Sequence, residues 1–316
     1  MTTQIWVDET RDMLLSGYVE ELDLVVTAPI PATTGTELVV QGIASSIVKG
    51  VIIEVNTELM YVTSVTSTTI SVMRGYGGST AATHIAGDLV RVSPKFPAHR
   101  IISSLNDDLA DICSPANGMF QIRVSTFTYN GGVAGYNLDT DDGSGGAYTV
   151  DSVYEVTHAA VGVLANEPEI ISWRLKRDRD TGSFASGNAL ILYDGAIPGR
   201  TVRVLYKSPL TPISTTDLTL DRSLTGLATS AYDLPPLGAA MALMTTRPIR
   251  REFLDAQGTS RMGEEVPPGA ISASFRDLMG RRRARLEAET SRLVTQYPQQ
   301  WSRHSAVGNS MWGYGR

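Results

Sequence analysis

Imidazole side chains have the broadest chemistry in this chain, because they carry protons and bind metals near neutral pH. None of the four histidines belongs to the H-E-x-x-H pattern that brings two zinc ligands to one face of a helix. Their wide separation therefore predicts positions at the surface or at interfaces, with no metal site and no cofactor. They are His84, His99, His158 and His304.

A serine nucleophile needs a tight turn between a strand and a helix, and two glycine-serine segments come closest to that pattern. Gly258–Met262 (GTSRM) has methionine where the nucleophile elbow needs its last glycine. Gly143–Gly145 (GSG) stands among turn residues, without a flanking strand and helix. The sequence therefore predicts no catalytic residue. An enzyme would instead need a pair of carboxylates held across a cleft, and no spacing pairs the acids of the middle region: Asp139, Asp151, Glu155, Glu167 and Glu169.

Two loops match ligand-binding motifs in part. Gly75–Gly78 leads to no helix that starts with the Lys-Ser/Thr of a phosphate-binding loop, so we interpret it as a hairpin loop. Asp139–Gly143 supplies the first two ligands of a calcium loop. However, Gly143 and Val150 stand at the fifth and twelfth positions, where carboxylates are needed. A solvated loop tip is the favoured interpretation, and adventitious cation binding is the alternative.

The C-terminal region carries the candidates for binding. Its arginines occupy most of a helix circumference at 100° per residue, so some pair within the helix, as Arg283 does with Glu287 at i, i+4. The others are free to contact a neighbouring subunit or a partner. Beyond the helix, aromatic rings in residues 299–316 are typical of a segment that anchors in a partner. The candidate residues are Arg276, Arg281, Arg282, Arg283, Arg285 and Arg292 on the helix, and Trp301, Arg303, Trp312, Tyr314 and Arg316 in the tail.

Charge and composition limit the class of protein. Residues 1–230 have a net charge of −10 and residues 231–316 one of +4, which argues against a protein that coats DNA along one basic face. Cys113 is the only cysteine, so no internal disulfide forms, and we expect folding in a reducing cytoplasm. No secretion signal is visible, and no apolar run is long enough to cross a membrane.

Hydrophobic periodicity and turn residues define the elements that position these candidates. Helices are predicted from Asp8 to Gly17, after Pro97, from Pro235, and from Ser272 to Tyr297. The second helix has an apolar stripe of Ile101, Leu105, Leu109 and Ile112, with Asp107, Asp108 and Asp111 expected at its surface. Strands are predicted at Glu37–Gln41, Val51–Val55, Glu58–Val65, Thr69–Met73, Leu89–Val92, Phe120–Phe127, Val153–Val156, Ile170–Leu175, Ala189–Tyr193 and Thr201–Lys207.

The predicted fold class is α+β: a discontinuous helical bundle with a long C-terminal helix, carrying two inserted β-rich domains. The bundle comprises residues 1–21, 94–117 and 231–298. A small β module occupies residues 22–93. A larger domain of sandwich or jelly-roll type, with its linker, occupies residues 118–230. Residues 299–316 form the docking tail.

Three segments resemble a β module of structural proteins in tailed bacteriophages: Thr57–Val65 (TELMYVTSV), Ser71–Ser79 (SVMRGYGGS) and His84–Val90 (HIAGDLV). Pro94–Pro97 and the helix after it are similar to the continuation in head-to-tail adaptor proteins of long-tailed phages of actinobacteria and their relatives. These adaptors are also called neck, connector or head-completion proteins. The resemblance touches most of residues 1–113 and 232–298.

This resemblance implies a structural virion protein without enzymatic activity, assembled in the host cytoplasm. Such proteins form a homo-oligomeric ring, usually a dodecamer, beneath the portal. The C-terminal segment would dock into the portal protein, and the opposite side would receive the next neck or tail-completion protein. Phage DNA would pass through the lumen without sequence-specific binding during genome ejection, and no membrane would be involved. The alternative is a tail, baseplate or capsid-decoration protein whose β domains pack on the virion or bind host glycans.

Overall fold

The computed structural model of the chain has two compact units. The first comprises residues 1–117 and 211–288, and the second comprises residues 118–210 and 289–316. The structure describes residues 2–15, 23–41, 47–66, 69–133, 135–138, 149–159, 167–184, 186–246 and 270–298.

An antiparallel six-stranded sheet forms the core of the first unit, with the strand order β1-β6-β3-β4-β5-β2. Its two edge strands meet at the Val26–Val40 bridge, where Thr27 N–H donates to the Val39 carbonyl and Gln41 N–H donates to the Val25 carbonyl. The sheet therefore curls until its edges pair, around a core of Val, Ile, Leu and Met. Its strands are β1 (Asp23–Val25), β2 (Glu37–Val39), β3 (Ile52–Val55), β4 (Glu58–Val65), β5 (Thr69–Met73) and β6 (Leu89–Val92).

Three helices of the first unit pack on one another: α1 (Gln4–Leu15), α2 (Ala98–Ile112) and α3 (Leu234–Thr246). Glu54 on β3 links two of them to the sheet, and its side chain is fully buried. Arg11 of α1 donates to Glu54 Oε2 at 3.0 Å, and the Ala98 N–H at the start of α2 donates to Oε1. A buried carboxylate with these donors fixes where α1 and α2 lie on the sheet.

Glu58 on β4 organises the loop between β5 and β6. Its fully buried carboxylate accepts both Arg74 Nε and Nη2 at 2.7 Å and pairs with His84 Nε2 at 2.9 Å. The N–H groups of Gly75 and Ala82 donate to the same carboxylate. Because five donors converge on one side chain, the charge of Glu58 is compensated inside the sheet.

Two three-stranded antiparallel sheets form the second unit, in the orders β7-β12-β9 and β10-β11-β8, around a shared apolar core. The C-terminal end of helix α4 (Ala270–Gln296) belongs to this unit, where the ring of Tyr297 packs edge-on against Phe120 and Tyr154. The strands are β7 (Gln121–Thr128), β8 (Tyr136–Asn137), β9 (Ser152–His158), β10 (Ser172–Lys176), β11 (Ala189–Asp194) and β12 (Thr201–Ser208).

The predicted fold class is wrong. The described residues form twelve strands in three sheets against four α-helices, so β structure carries the architecture and is not an insertion into a helical bundle. The length of α4 suggested a bundle, yet among its described side chains only Leu286, Glu289 and Leu293 are buried. A helix that buries so few side chains cannot be the centre of a core.

Most individual elements agree with their predictions, and the exceptions have physical reasons. Helix α1 begins at Gln4, one turn before the predicted start at Asp8. Asp8 lies inside the helix, where it accepts a hydrogen bond from the Gln4 side chain, so it does not cap the helix. The Gly75–Gly78 segment is not a hairpin loop, since β5 pairs with β4 and β2 but not with β6. His84 and His158, expected at the surface or at interfaces, are instead buried inside the first and second units and are each 1% exposed.

Candidate interaction site on the C-terminal helix

Helix α4 presents two different faces within the first unit. Arg282 lies on the face that forms ion pairs with α2, whereas Arg283, one residue on, has a side chain that is 81% exposed. The 100° step between successive residues produces this division. The arginines predicted as one candidate set therefore have two different surroundings.

Arg282 joins α4 to α2 through two carboxylates. Its Nη2 lies 2.6 Å from Asp108 Oδ1 and 2.7 Å from Asp111 Oδ2. The prediction that Asp108 lies at the helix surface is wrong, because the residue is 7% exposed. Asp108 is seven residues after Ile101 and four before Ile112, so the helical period itself places it within the buried apolar stripe. That spacing was the signal for its burial.

Gly238 on α3 allows this carboxylate to approach. A Cβ atom built on Gly238 would overlap the carboxyl group of Asp108, and even the farther oxygen, Oδ2, would be 2.7 Å away. Glycine inside a helix costs about 1 kcal/mol relative to alanine, and at position 238 the close approach of Asp108 accounts for it. The position of Gly238 within a predicted helix is visible in the sequence, but the sequence does not identify Asp108 as the group that lies against it.

A cleft of about 320 Å³ opens beside these residues, between α2, α3 and α4. Asp107, Asp108 and Asp111 line it together with Arg282, and Phe275 and Met241 contribute apolar walls. Two buried polar atoms there, Asp108 Oδ2 and Arg282 Nε, make no hydrogen bond within the described part of the chain. The cleft therefore combines excess negative charge with an unsatisfied acceptor.

Burial dominates the electrostatics of Asp108. It raises the pKa of this carboxyl to about 7, although the charge and hydrogen bond of Arg282 act to lower it. Burial alone would lower the pKa of Arg282, but the charges and hydrogen bonds of Asp108 and Asp111 outweigh it, so that the pKa of the guanidinium is raised. Arg282 thus stays charged while Asp108 titrates near neutral pH.

Two further predicted arginines pair on the flanks of α4. Arg285 donates to Asp233 Oδ2 at 2.8 Å and to the carbonyl of Ser230. In the second unit, Arg292 donates to Glu289 Oε2 at 2.8 Å. The predicted Arg283–Glu287 pair forms at 2.9 Å.

The remaining arginines lie on the exposed side of α4. The side chain of Arg281 is 66% exposed and pairs with Asp277 one turn earlier, and Arg276 is also exposed. Within the first unit we define the outer stripe of α4 as Arg276, Met279, Arg283 and Glu287, which are all exposed and spaced at i, i+3, i+7 and i+11. This stripe contains two of the predicted arginines, Arg276 and Arg283, at positions that a partner can reach.

Several predicted features lie outside the described residues. They are the tail residues Trp301, Arg303, Trp312, Tyr314 and Arg316, the loop at Asp139–Gly143, the two glycine-serine segments and His304. Among the residues that the structure does describe, no three His, Cys, Asp or Glu side chains are arranged to hold a metal ion. No helix in the same ranges is long and apolar enough to cross a bilayer.

Comparison with known proteins gives no family assignment. No protein-family model matches the chain, and no curated protein matches it significantly.

Proposed function

We propose that this protein is a non-catalytic structural subunit of a bacteriophage virion: a head-to-tail adaptor that forms a ring between the portal and the tail. The observation that carries the proposal is the exposure of α4. At 1.5 Å per residue its 27 residues extend over about 40 Å, and every residue of its outer stripe is exposed in the described chain. Helices of globular proteins gain most of their stability from packing, so a long uncovered helix favours association.

The chemistry of the outer stripe suits a contact between subunits. Arg276 and Arg283 supply positive charge and Met279, at 49% exposure, supplies an apolar contact. Arginine and methionine are both enriched at protein interfaces. In a cyclic ring each subunit uses two different surfaces, so the acidic cleft and the basic outer stripe can serve as complementary halves.

The acidic character of residues 1–230 is compatible with a DNA conduit. Their net charge of −10 repels phosphate and keeps contacts with a passing duplex weak. The portal protein and the next neck or tail-completion protein would be the other partners, and the virion neck would be the location. The resemblance of Thr57–Val65 and the segments after it supports this assignment.

Portal attachment tests the role of the tail. We expect the full-length protein to sediment together with the portal protein of the same phage, and a variant that lacks residues 299–316 to remain in the supernatant. Thermal unfolding of the truncated protein should match that of the full chain, which separates loss of docking from loss of fold. Equal sedimentation of both proteins with the portal would refute the docking segment, and failure of the full chain would refute the adaptor function.

A second candidate function rests on a polar cleft of about 380 Å³ in the first unit. Threonine hydroxyls, two amides and carboxylates line it, which is the set of groups that hydrogen-bonds sugar hydroxyls. This observation favours a virion protein that binds host glycans, and glycan-array binding that is lost on substitution of Asp88 would select it. The lining includes Thr2, Asn56, Thr57, Thr83, Asp88, Thr216, Asp217 and Thr219.

A further inference from the structure

The cleft between α2, α3 and α4 lacks a donor at its base. Asp108 is more than nine-tenths buried, and its Oδ2 atom accepts no hydrogen bond within the described chain, while Oδ1 is taken by Arg282. A buried acceptor without a partner is unfavourable. The Asp108 carboxyl group therefore lines the cleft without being fully satisfied by donors of the described chain.

The charge of the cleft selects a cation. Among the described residues that line the cleft, the three acids Asp107, Asp108 and Asp111 stand beside a single guanidinium, that of Arg282, which leaves two negative charges when all three acids are ionised. Asp107 makes no ion pair in the described residues and lies exposed at the rim. Arg282 is already bound to the other two acids, so it reduces the attraction for a second cation but does not cancel it.

The walls of the cleft select a cation on an apolar stem. The ring of Phe275 and the thioether of Met241 line it. An aromatic face attracts a guanidinium, and apolar walls cover the methylene groups of an arginine or lysine side chain. Arginine fits best, because its planar fork also donates to two carboxylates at once.

We propose that this cleft binds the guanidinium group of an arginine from a second copy of the chain, with Arg283 as the occupant. The inference rests on the self-association in the proposed function. Arg283 is the most exposed arginine for which an ion pair is described, and its partner, Glu287, lies one turn away on the same helix. Arg283 points from a different side of α4 than Arg282 does, so the cleft and Arg283 belong to different surfaces. Such a head-to-tail contact generates a closed ring when the rotation between neighbouring copies divides a full turn.

Binding of a free arginine probe tests the cleft without requiring assembly. We would titrate the protein with N-acetyl-arginine amide and, as the neutral analogue of the same shape, with N-acetyl-citrulline amide, following chemical shifts by NMR. The arginine probe should bind at least about tenfold more tightly than the citrulline probe. Asp107→Asn should weaken its binding several-fold, whereas Asp12→Asn, the same change at an exposed site on α1, should not. Equal binding of the two probes, or no binding of the arginine probe, would overturn the inference.

A double-mutant cycle on self-association tests the source of the arginine. By sedimentation velocity, Arg283→Gln and Asp107→Asn should each weaken association about tenfold. The double variant should be about as weak as either single one, because both changes remove the same contact. Arg174→Gln, an exposed arginine on β10, is the matched control and should have no effect. Additive losses in the double variant would overturn Arg283 as the occupant. If the wild-type protein stays monomeric but binds the arginine probe, the adaptor function and the occupant fail while the cleft remains a cation site.

Discussion

Asp108 on α2 and Gly238 on α3 approach so closely that no side chain fits at position 238. The oxygen of Asp108 that is farther from an ideal Cβ on Gly238 would still be only 2.7 Å from it. The Asp108 carboxylate, which joins α2 to α4, thus lies directly against the backbone of α3 at Gly238.

Gly238→Ala should destabilise the protein by about 2–4 kcal/mol, because the overlap with Asp108 outweighs the roughly 1 kcal/mol that alanine gains in a helix. Urea unfolding measures the change. Gly280→Ala on α4 is the control, since nothing lies within 4 Å of its Cβ position, and it should stabilise slightly. Combining Gly238→Ala with Asp108→Ala should cost less than the sum of the two changes. Strict additivity would contradict the close contact.

Asp108 should make stability depend on pH near neutrality. Burial raises its pKa in the folded state to about 7, above the value of about 3.9 in an unfolded chain. The folded state therefore holds the extra proton, and this contribution is present below pH 4 and is lost as the pH rises through 7. The loss is at most about 4 kcal/mol. Asp108→Asn should flatten the profile between pH 4.5 and 8, whereas Asp107→Asn should leave the slope in place. An unchanged slope in Asp108→Asn would disprove the assignment.

Substitutions of the two neighbouring arginines Arg282 and Arg283 should have very different effects on the free energy of unfolding. At pH 8, Arg282→Ala should cost about 3 kcal/mol, since it leaves the buried, ionised Asp108 without its cation. Arg283→Ala should change the free energy of unfolding by less than about 0.5 kcal/mol, because its side chain is 81% exposed. Chemical denaturation of the two variants under conditions where both are monomeric compares them directly. Similar losses in both would mean that the two faces of α4 are wrongly assigned.

Glu58 should control the acid stability of the first unit. Burial opposes its charge, but the hydrogen bonds from Arg74, His84 and two backbone N–H groups outweigh that effect and lower its pKa to about 2. The stabilisation is present above pH 4.5 and is lost as the pH falls towards 2. Glu58→Gln should cost about 3–5 kcal/mol at pH 7 and reduce the acid dependence. The exposed Glu37→Gln on β2 is the control, and equal Tm values for the two variants would rule out this role.

The elements of the fold were largely predictable from the sequence, but their assembly was not. Period-2 alternation identifies a strand as long as β12, whereas the two residues of β8 carry no period. The bridge between Val26 and Val40 that brings the sheet edges together is a pairing that no local pattern encodes. The misassigned fold class has the same origin, because the length of α4 says nothing about how few of its side chains become buried.

The sequence predicted which helix carries the candidate arginines, but not which ion pairs most of them form. Helical spacing correctly placed Arg283 beside Glu287, since that pair is local. The partners of Arg282 and Arg285 are more than 50 residues away in the chain, so no helical spacing could identify them. Asp108 shows the opposite case, where the helical period already placed it in the buried stripe and its charge concealed that position.

Electron microscopy of the purified full-length protein tests the central claim most directly. The proposed adaptor should yield class averages of closed rings with cyclic symmetry, of about twelve subunits according to the resemblance, in which α4 lies at the contact between neighbouring subunits. Particles that are monomers alone, under conditions where the folded state is intact, would contradict the account.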